Sequence, residues 1–409
     1  MNFINTTTFV KRLFTVLWVM GLLLVTACRD KQVSDGQVTN IDLTSPAQKK
    51  LNMSEFVSGI QYIPLETSDD NLMGNVDQLL FAHNKIIIVD NKTASIFFFD
   101  DQGKYLYKIA KQGVGPEEYT EIDKVAVNSQ EGVLYVLDRK KVLVYSLEGE
   151  FKETIKLDFL AGDFIYMDHT LVFYCDYGQN PALEKDGQLP LLAIYHIDTA
   201  ETRYSLYADA SIGMTEVIDN HMLRGYGGRD EGTLTFPFSD YVYRLGTEGA
   251  SPAYFVDFGE KNRTRLENHL AMLKSEQLSA EDCMEDRKGY PAFRAVSGCQ
   301  ESDSLLFVGF NNYSEHETGV YLWDKRSGKT LNGCSSEGWA IKNDIDGGYP
   351  LLPMALRGDK FYTVVPPFYL LDMEIEDPEL KSIVEKMTGE ENPILMVSTV
   401  KIGKADSNR

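Results

Sequence analysis

The feature that most restricts what this chain can fold into is an internal repeat between residues 76 and 157. The stretch KIIIVDNKTASIFFFDDQGKYLYKI (85–109) aligns with VLYVLDRKKVLVYSLEGEFKETI (133–155). Each has an apolar strand ending in Asp, a polar turn, a second apolar or aromatic strand, a Gly turn and a third, alternating strand. Asp90 and Asp138 match 48 residues apart, and Gly103 and Gly149 match 46 apart. Self-similarity at this period, with about four short strands per unit, is the signature of a β-propeller. Runs such as Ile86-Ile87-Ile88-Val89 and Phe97-Phe98-Phe99 are too short for helices and suit strands buried on both faces, as stacked blades require. Gly103 and Gly149 supply turn backbone that other residues resist.

The pattern continues in weaker form. FIYMDHTLVFYCDYG with LLAIYHIDTAETRYSLYA forms a third unit, and TLTFPFSDYVYRLGTEGASPAYFVDFG a fourth, with Asp240 in the place of Asp90. SLLFVGFNNYSEHETGVYLWDKRSGKTL forms a fifth, and KFYTVVPPFYLLD and PILMVSTVKI give strands of a sixth. GIQYIPLE (59–66) is a strand without a unit of its own, and in a ring such a strand completes the last blade. The expected fold is therefore all-β: a six-bladed β-propeller over residues 51–409, with two short helical insertions. RLENHLAMLKSEQL carries Leu266, Leu270 and Leu273 on one face, and DPELKSIVEKMTG carries Leu380, Ile383, Val384 and Met387 behind an Asp377 cap and Pro378. Both stripes read as packing faces against the ring.

The N-terminus gives an address. Lys11 and Arg12 precede an uncharged apolar run, Leu13 to Ala27, with the form of an export signal. The run is shorter than the about 20 residues a spanning helix needs. Its end, Val25-Thr26-Ala27-Cys28, resembles the lipobox of bacterial lipoproteins, in which the cysteine becomes the acylated first residue. That resemblance implies a signal peptide at 1–27, lipidation at Cys28, and a membrane tether made of acyl chains, two or more of which hold stably. Residues 28–50 read as a flexible spacer.

Net charge is −21, and removing residues 1–27 takes away Lys11 and Arg12 and no acid, leaving −23. A basic footprint for phosphates is missing, which excludes nucleic acid as a partner. An exported chain is permitted disulfides. Cys175, Cys283, Cys299 and Cys334 allow three pairings, and spacing does not choose among them; a Cys283–Cys299 clasp and isolated buried thiols are both open.

The sequence holds no G-x-S-x-G elbow, H-E-x-x-H, P-loop or dinucleotide fingerprint. No cofactor is expected from it. NDIDGGYP places Asn343, Asp344 and Asp346 close together; it reads first as a turn tied by Asx side chains, with Ca²⁺ binding as the alternative. RGYGGRDEG offers Arg224, Tyr226 and Arg229 as ligand-binding candidates in a mouth loop, and FNNYSEHETG offers Asn312, Tyr313 and His316. Asp90, Asp138 and Asp240 recur through the repeats and read as ties for their own turns.

The lipobox, YIPLET, KQGVGPEEYTEI, LYVLDRKKVLVYSLEGEF and NDIDGGYP together resemble the six-bladed, NHL-like β-propeller lipoproteins of Bacteroides and relatives, over residues 55–402. The resemblance implies anchoring in the cell envelope, at the outer membrane, without a common activity. It also implies O-glycosylation at Asp-Ser/Thr followed by a small or aliphatic residue, which Thr199 and Ser304 match. The reading that follows is a membrane-anchored binding or scaffold protein for a peptide, glycan or protein partner. A propeller hydrolase or lyase with an axial site, and a sensor coupled to a membrane partner, are the alternatives; fold does not choose among them.

Overall fold

The computed structural model describes residues 38–175, 180–210, 223–225, 231–235, 239–274, 294–312 and 316–402. Over residues 39–402 the chain forms six antiparallel blades of four strands arranged as a propeller, blade 4 extended by a parallel fifth strand, with one two-stranded parallel pairing beside them. Blade 1 holds Gln78–Ala82, Lys85–Asp90, Ser95–Asp100 and Tyr105–Ile109; blade 2 holds Lys124–Asn128, Val133–Asp138, Lys141–Ser146 and Phe151–Lys156. Blade 3 holds Asp163–Met167, Thr170–Tyr174, Gln188–His196 and Glu201–Asp209. Blade 4 holds Leu223–Gly225, Gly232–Leu234, Tyr241–Gly246 and Gly249–Asp257; blade 5 holds Arg294–Glu301, Leu305–Asn312, Glu317–Asp324 and Lys329–Ser335. Blade 6 takes Ala355–Arg357, Lys360–Val365 and Ile394–Val400 from the C-terminal part, and its outermost strand is Val57–Pro64. The orphan strand thus closes the ring, as the sequence predicts.

The continuous apolar runs have a direct physical explanation. Ile87, Val89 and Phe98 pack towards blade 2, whereas Ile86, Ile88, Phe97 and Phe99 pack towards blade 6. In blade 2, Leu134 and Val136 face blade 1, and Val133, Tyr135 and Leu137 face blade 3. Alternate side chains serve alternate interfaces, so no position is left for a polar residue. Six such cores, one per blade boundary, carry the hydrophobic stabilisation around the ring.

Strand direction fixes two faces. The upper face is where the innermost strands begin; it carries the turns between second and third strands and the blade-to-blade connections. The lower face carries the turns between first and second and between third and fourth strands. Three α-helices are present among the described residues, all on the upper side: α1, Glu260–Lys274, after blade 4; and α2, Pro367–Leu371, and α3, Pro378–Val384, within blade 6. In α3 the Asp377 carboxylate accepts from the Leu380 N–H at 2.8 Å. Leu380, Ile383, Val384 and Met387 pack into the core between blades 5 and 6, the expected packing face. The side chains of Leu266, Leu270 and Leu273 lie outside the described residues. PFYLL is helix, not the strand its apolarity suggests, because Pro366 and Pro367 break the strand and place proline at the first helical position.

The spacer is shorter than the sequence suggests. Thr39–Asp42 pairs in parallel with the outer strand of blade 4, burying Ile41 and Leu43 between blades 4 and 5. Ala47 is tied to blade 5 by the Cys334 N–H at 3.0 Å and by Asn332 Oδ1 at 2.7 Å. Leu51–Asn52 pairs with Ile341–Lys342. The 28–50 assignment is therefore corrected: residues 39–50 belong to the propeller. TNIDL is a strand of minimal length whose two apolar side chains repay its ordering, a signal too short to separate from a polar linker.

Candidate ligand-binding cavity

A cavity of about 380 Å³ lies on the propeller axis. Every blade contributes to its wall, through residues of or beside its innermost strand. Blade 1 supplies Gln78, Leu80, Phe81 and His83; blade 2 supplies Lys124, Val127 and Gln130; blade 3 supplies Asp163, Ile165, Tyr166 and His169. Blade 4 supplies Arg224 and Gly225, blade 5 Gln300 and Glu301, and blade 6 Arg357.

The upper end is a buried polar floor. Lys124 Nζ lies 3.9 Å from Asp163 Oδ1, and both side chains are about 95% buried. The Asp163 carboxylate also accepts from its neighbours' backbone: Leu223 N–H at 2.9 Å on Oδ2 and Phe164 N–H at 2.9 Å on Oδ1. Burial pushes its carboxyl above the ordinary range; Lys124, the Leu223 amide and Arg224 oppose that shift. Gln78 closes the gap between blades 1 and 2 by pairing with both backbone groups of Val125, at 2.8 and 3.1 Å. At the lower end His83, Gln130, Asp168, His169 and Arg357 are exposed, so the cavity opens on the lower face.

The wall is mixed all round. Blades 1 to 3 present Leu80, Phe81, Val127, Ile165 and Tyr166 beside His83, Lys124, Gln130, Asp163 and His169. Blades 4 to 6 present Leu223, Met354 and Leu356 beside Arg224, Gln300, Glu301 and Arg357. Glu301 is committed to partners behind the wall: Tyr254 donates to its Oε1 at 2.6 Å, Arg244 bonds both oxygens at 3.2 and 3.3 Å, and Lys325 donates to Oε1. The Arg357 guanidinium sits over the Phe81 ring at 4.5 Å. Gln300 donates from Nε2 to Pro353 O at 2.6 Å, and its buried Oε1 accepts no hydrogen bond among the described residues.

The sequence candidates fall in separate places. Arg224 sits on the innermost strand of blade 4 and lines the cavity, whereas Tyr226 and Arg229 lie outside the described residues. Asn312 ends the second strand of blade 5 on the upper face, buried, with exposed His316 after it; Tyr313 lies outside the described residues. Of the described candidates, Arg224 lies on the axial wall of blade 4 and Asn312 at the upper end of the second strand of blade 5, outside the cavity lining. Lys124, Asp163, Gln300 and Arg357 were not singled out by sequence, because each is one residue from a different repeat.

NDIDGGYP is an Asx-tied clamp. Asn343 Nδ2 donates to Asp346 Oδ1 at 2.7 Å, Gly348 N–H to Asp346 Oδ1 at 2.8 Å, and Tyr62 Oη to Asp346 Oδ2 at 2.8 Å. Asp344 instead accepts from Ser54 N–H and Oγ, at 3.0 and 2.6 Å. These donors occupy the oxygens that a Ca²⁺ site would use, and no cluster of three or more His, Cys, Asp or Glu side chains fit for a metal ion occurs among the described residues. The turn grips the helical insertion: Glu376 N–H bonds Asp346 O at 2.8 Å.

The repeated aspartates divide. Asp90 accepts from Gly74 N–H, Thr93 N–H and Thr93 Oγ1, and Asp138 from Thr120 N–H and Oγ1, so both tie turns as expected. Asp240 does not. It stands before the third strand of its blade rather than ending the second, and its Oδ1 is buried without a donor among the described residues.

Cys175, Cys299 and Cys334 are free, buried thiols, which removes the Cys283–Cys299 clasp; Cys283 itself lies outside the described residues. Burial raises all three thiol pKa values, to about 12 for Cys175 and about 11 for Cys334. Thr199 is exposed in a lower-face turn of blade 3, whereas Ser304 is buried with its Oγ 3.3 Å from Gly358 O.

A family model described as a domain of unknown function, DUF4934, matches residues 38–399. The chain belongs to the DUF4934 family. The matched segment begins where the propeller strap begins, one residue before Thr39. Among solved structures, the DUF4934 chain is similar to a "putative exported protein" of Bacteroides fragilis NCTC 9343, with 18% identity and a TM-score of 0.67 over 89% of this chain and 99% of that one. It is also similar to a member of the duf4221 family from Bacteroides vulgatus, with 11% identity and a TM-score of 0.45 over 85% and 98% of the two chains. No curated protein matches. The first likeness supports the fold assignment. No described helix is long and apolar enough to cross a membrane.

Proposed function

We infer that this DUF4934 protein is an exported, lipid-anchored binding protein whose axial cavity holds a small ligand. The observation that carries the binding role is the cavity itself: about 380 Å³, walled by all six blades, closed by a buried ion pair above and open below. That volume lies within the range of small-molecule sites, which combine apolar walls with a few placed polar groups. Export is supported by the signal-like run Leu13–Ala27 and by the name of the Bacteroides fragilis neighbour, and anchoring by Cys28 alone. The anchor is the acylated Cys28 at the outer membrane, with residues 29–38 left as tether. O-glycosylation falls on Thr199, whose hydroxyl is accessible, rather than on Ser304.

Metabolic labelling with radioactive palmitate tests the anchor: label is expected on the wild type and absent from Cys28→Ala, and a labelled variant refutes it. Intact mass tests the sugar: a mass excess is expected that disappears in Thr199→Ala, and an unmodified wild-type mass refutes it. Gly225 tests the cavity. It lines the cavity, and a Cβ built there meets nothing within 4 Å. Gly225→Trp is therefore expected to fold and to lose ligand binding; binding retained in that variant refutes the site.

A further inference from the structure

A second surface lies at the end of the ring opposite the cavity mouth. The second strand of blade 6 ends at Val365 on the upper face, and the chain re-enters the blade at Ile394 after the insertion that holds α2 and α3. Pro367 and Leu370 are buried and seat α2 on the ring, whereas Phe368, Tyr369 and Leu371 are 54%, 47% and 42% exposed. The fold does not need these three, since polar residues in their places would leave α2 seated by the same two contacts. They are nevertheless held by their neighbours. The Phe368 and Tyr369 ring centres are 4.2 Å apart, and Tyr369 is 5.4 Å from the buried Tyr349 ring. A Cβ built on Gly389 would meet Leu371 Cδ1 at 3.0 Å and Phe368 Cβ at 3.8 Å, so both side chains pack over that glycine. An exposed apolar patch marks an interaction surface, and aromatic side chains already held in place lose little entropy on binding.

The rim of the patch carries mainly one sign of charge. Between residues 366 and 392, Asp372, Glu374, Glu376, Glu379, Glu385 and Glu390 are exposed, against two exposed lysines, Lys381 and Lys386. None of the six carboxylates forms a salt bridge among the described residues. This charge selects the occupant. An anionic bilayer is repelled by such a rim, and interfacial helices carry Lys and Arg on their polar face. The chain also enters the ring from the other side. Thr39–Asp42 runs parallel with Gly249–Asp257, which climbs from the lower face to the upper, so Thr39 stands at the lower end. A second copy, of net charge −21, is repelled by the same rim. A basic protein segment meets both requirements: its lysines or arginines find the rim carboxylates and the exposed ring faces, and an apolar side chain covers the centre. We propose that the helical insertion of blade 6 is a docking surface for a basic segment of a partner protein. An apolar side chain of that segment packs on Phe368, Tyr369 and Leu371, and its cations meet the surrounding carboxylates.

The test is fluorescence-anisotropy titration of the full mature chain with three labelled peptides: KLAKLAKKLAKLAK, its serine counterpart KSAKSAKKSAKSAK and its acidic counterpart ELAELAEELAELAE. The first is expected to bind at least about tenfold more tightly than either of the others, because it alone supplies both charge and apolar contact. Phe368→Ser combined with Tyr369→Ser leaves the net charge unchanged and should weaken that peptide about tenfold or more. Glu374→Gln, Glu376→Gln and Glu390→Gln together should also weaken it. Glu131→Gln, Glu148→Gln and Glu150→Gln, which remove the same charge from exposed lower-face turns of blade 2, should not. Thermal unfolding establishes that each variant is folded. Equal weakening by the two charge triples overturns the proposal, since it means diffuse attraction to an acidic protein. Undiminished binding in the Phe368→Ser, Tyr369→Ser variant overturns the apolar centre and with it the site. Failure of the first peptide to bind the wild type overturns the proposal as a whole. Sedimentation adds two further outcomes: binding to phosphatidylglycerol vesicles, or dimerisation, that is lost in the Phe368→Ser, Tyr369→Ser variant would give the patch to a membrane or to a second copy and overturn the basic partner.

Discussion

Replacing Asp240 by Asn should make this protein more stable, and by an amount that depends on pH. Asp240 is 8% exposed, has one carboxylate oxygen without a donor among the described residues, and lies near a second carboxylate, Asp257. Burial raises its pKa from 3.8 to about 6, Asp257 adding to the rise and Arg263 opposing it. Arg263 is drawn off by Asp257, 3.5 Å from its guanidinium. The sign follows from linkage. A carboxyl whose folded-state pKa is raised binds its proton more tightly in the native state. It therefore costs nothing below about pH 4, where both states are protonated, and its penalty grows to a plateau above about pH 6. Two pKa units correspond to about 3 kcal/mol, and solvent relaxation near the surface brings the expected gain to about 1–2 kcal/mol. Asp240→Asn keeps the shape and removes the charge. Urea unfolding followed by tryptophan fluorescence should show a higher midpoint for the variant at about pH 7.5, with the difference shrinking towards about pH 4. A variant less stable than wild type at about pH 7.5 would refute the reasoning, since it would mean that the carboxylate is ionised and bonded there.

Asp138→Ala should behave in the opposite way. It removes acceptors for Thr120 N–H at 2.7 Å, Thr120 Oγ1 at 2.8 Å and Lys141 Nζ at 3.1 Å, and is expected to cost about 3–5 kcal/mol in urea unfolding while leaving cavity binding unchanged. Gly347→Ala should loosen the helical insertion: the backbone there is left-handed at φ +72°, and a Cβ would lie 2.2 Å from Glu374 O. Limited proteolysis should cut residues 366–390 faster in that variant, with a stability loss of about 2 kcal/mol or more. Cys175, Cys299 and Cys334 should stay unreactive towards a thiol reagent in the native protein and react on unfolding, because burial disfavours each thiolate.

The blades were legible where both faces of a strand are buried. IIIV and FFF leave no room for another reading, and the Gly103 turn is fixed twice: by its left-handed backbone at φ +83°, and by Pro64 O lying 2.2 Å from where a Cβ would be. Blade 4 was harder, since its innermost strand is three residues long, Leu223–Gly225, and sits among glycines that read as loop. The cavity was least legible. Its walls take a short stretch at the innermost strand of each repeat, so Lys124, Asp163, Gln300 and Arg357 lie tens of residues apart and form no local motif. Arg224 was the exception, found for its position among glycines rather than for the strand that carries it. NDIDGGYP shows the converse. Its composition resembles an ion site, but Tyr62 and Ser54, far away in sequence, supply the donors that make it a clamp.

The N-terminal strap connects these observations. Thr39–Asp42 lies on blade 4, Ala47 is bonded to blade 5, and Val57–Pro64 completes blade 6. These are the three blades that carry Arg224, Gln300 and Arg357. A strap joining three adjacent blades resists their separation, and a propeller held this way keeps its axial side chains at fixed spacing. Preorganisation of the axial side chains of blades 4 to 6 thus depends on the twenty-six residues 39–64, although Thr39–Asp42 joins blade 4 at its outer edge, away from the strand bearing Arg224. Cutting the strap from blade 4, for example by Ile41→Asp, is expected to weaken ligand binding as well as stability, although Ile41 lines no part of the cavity.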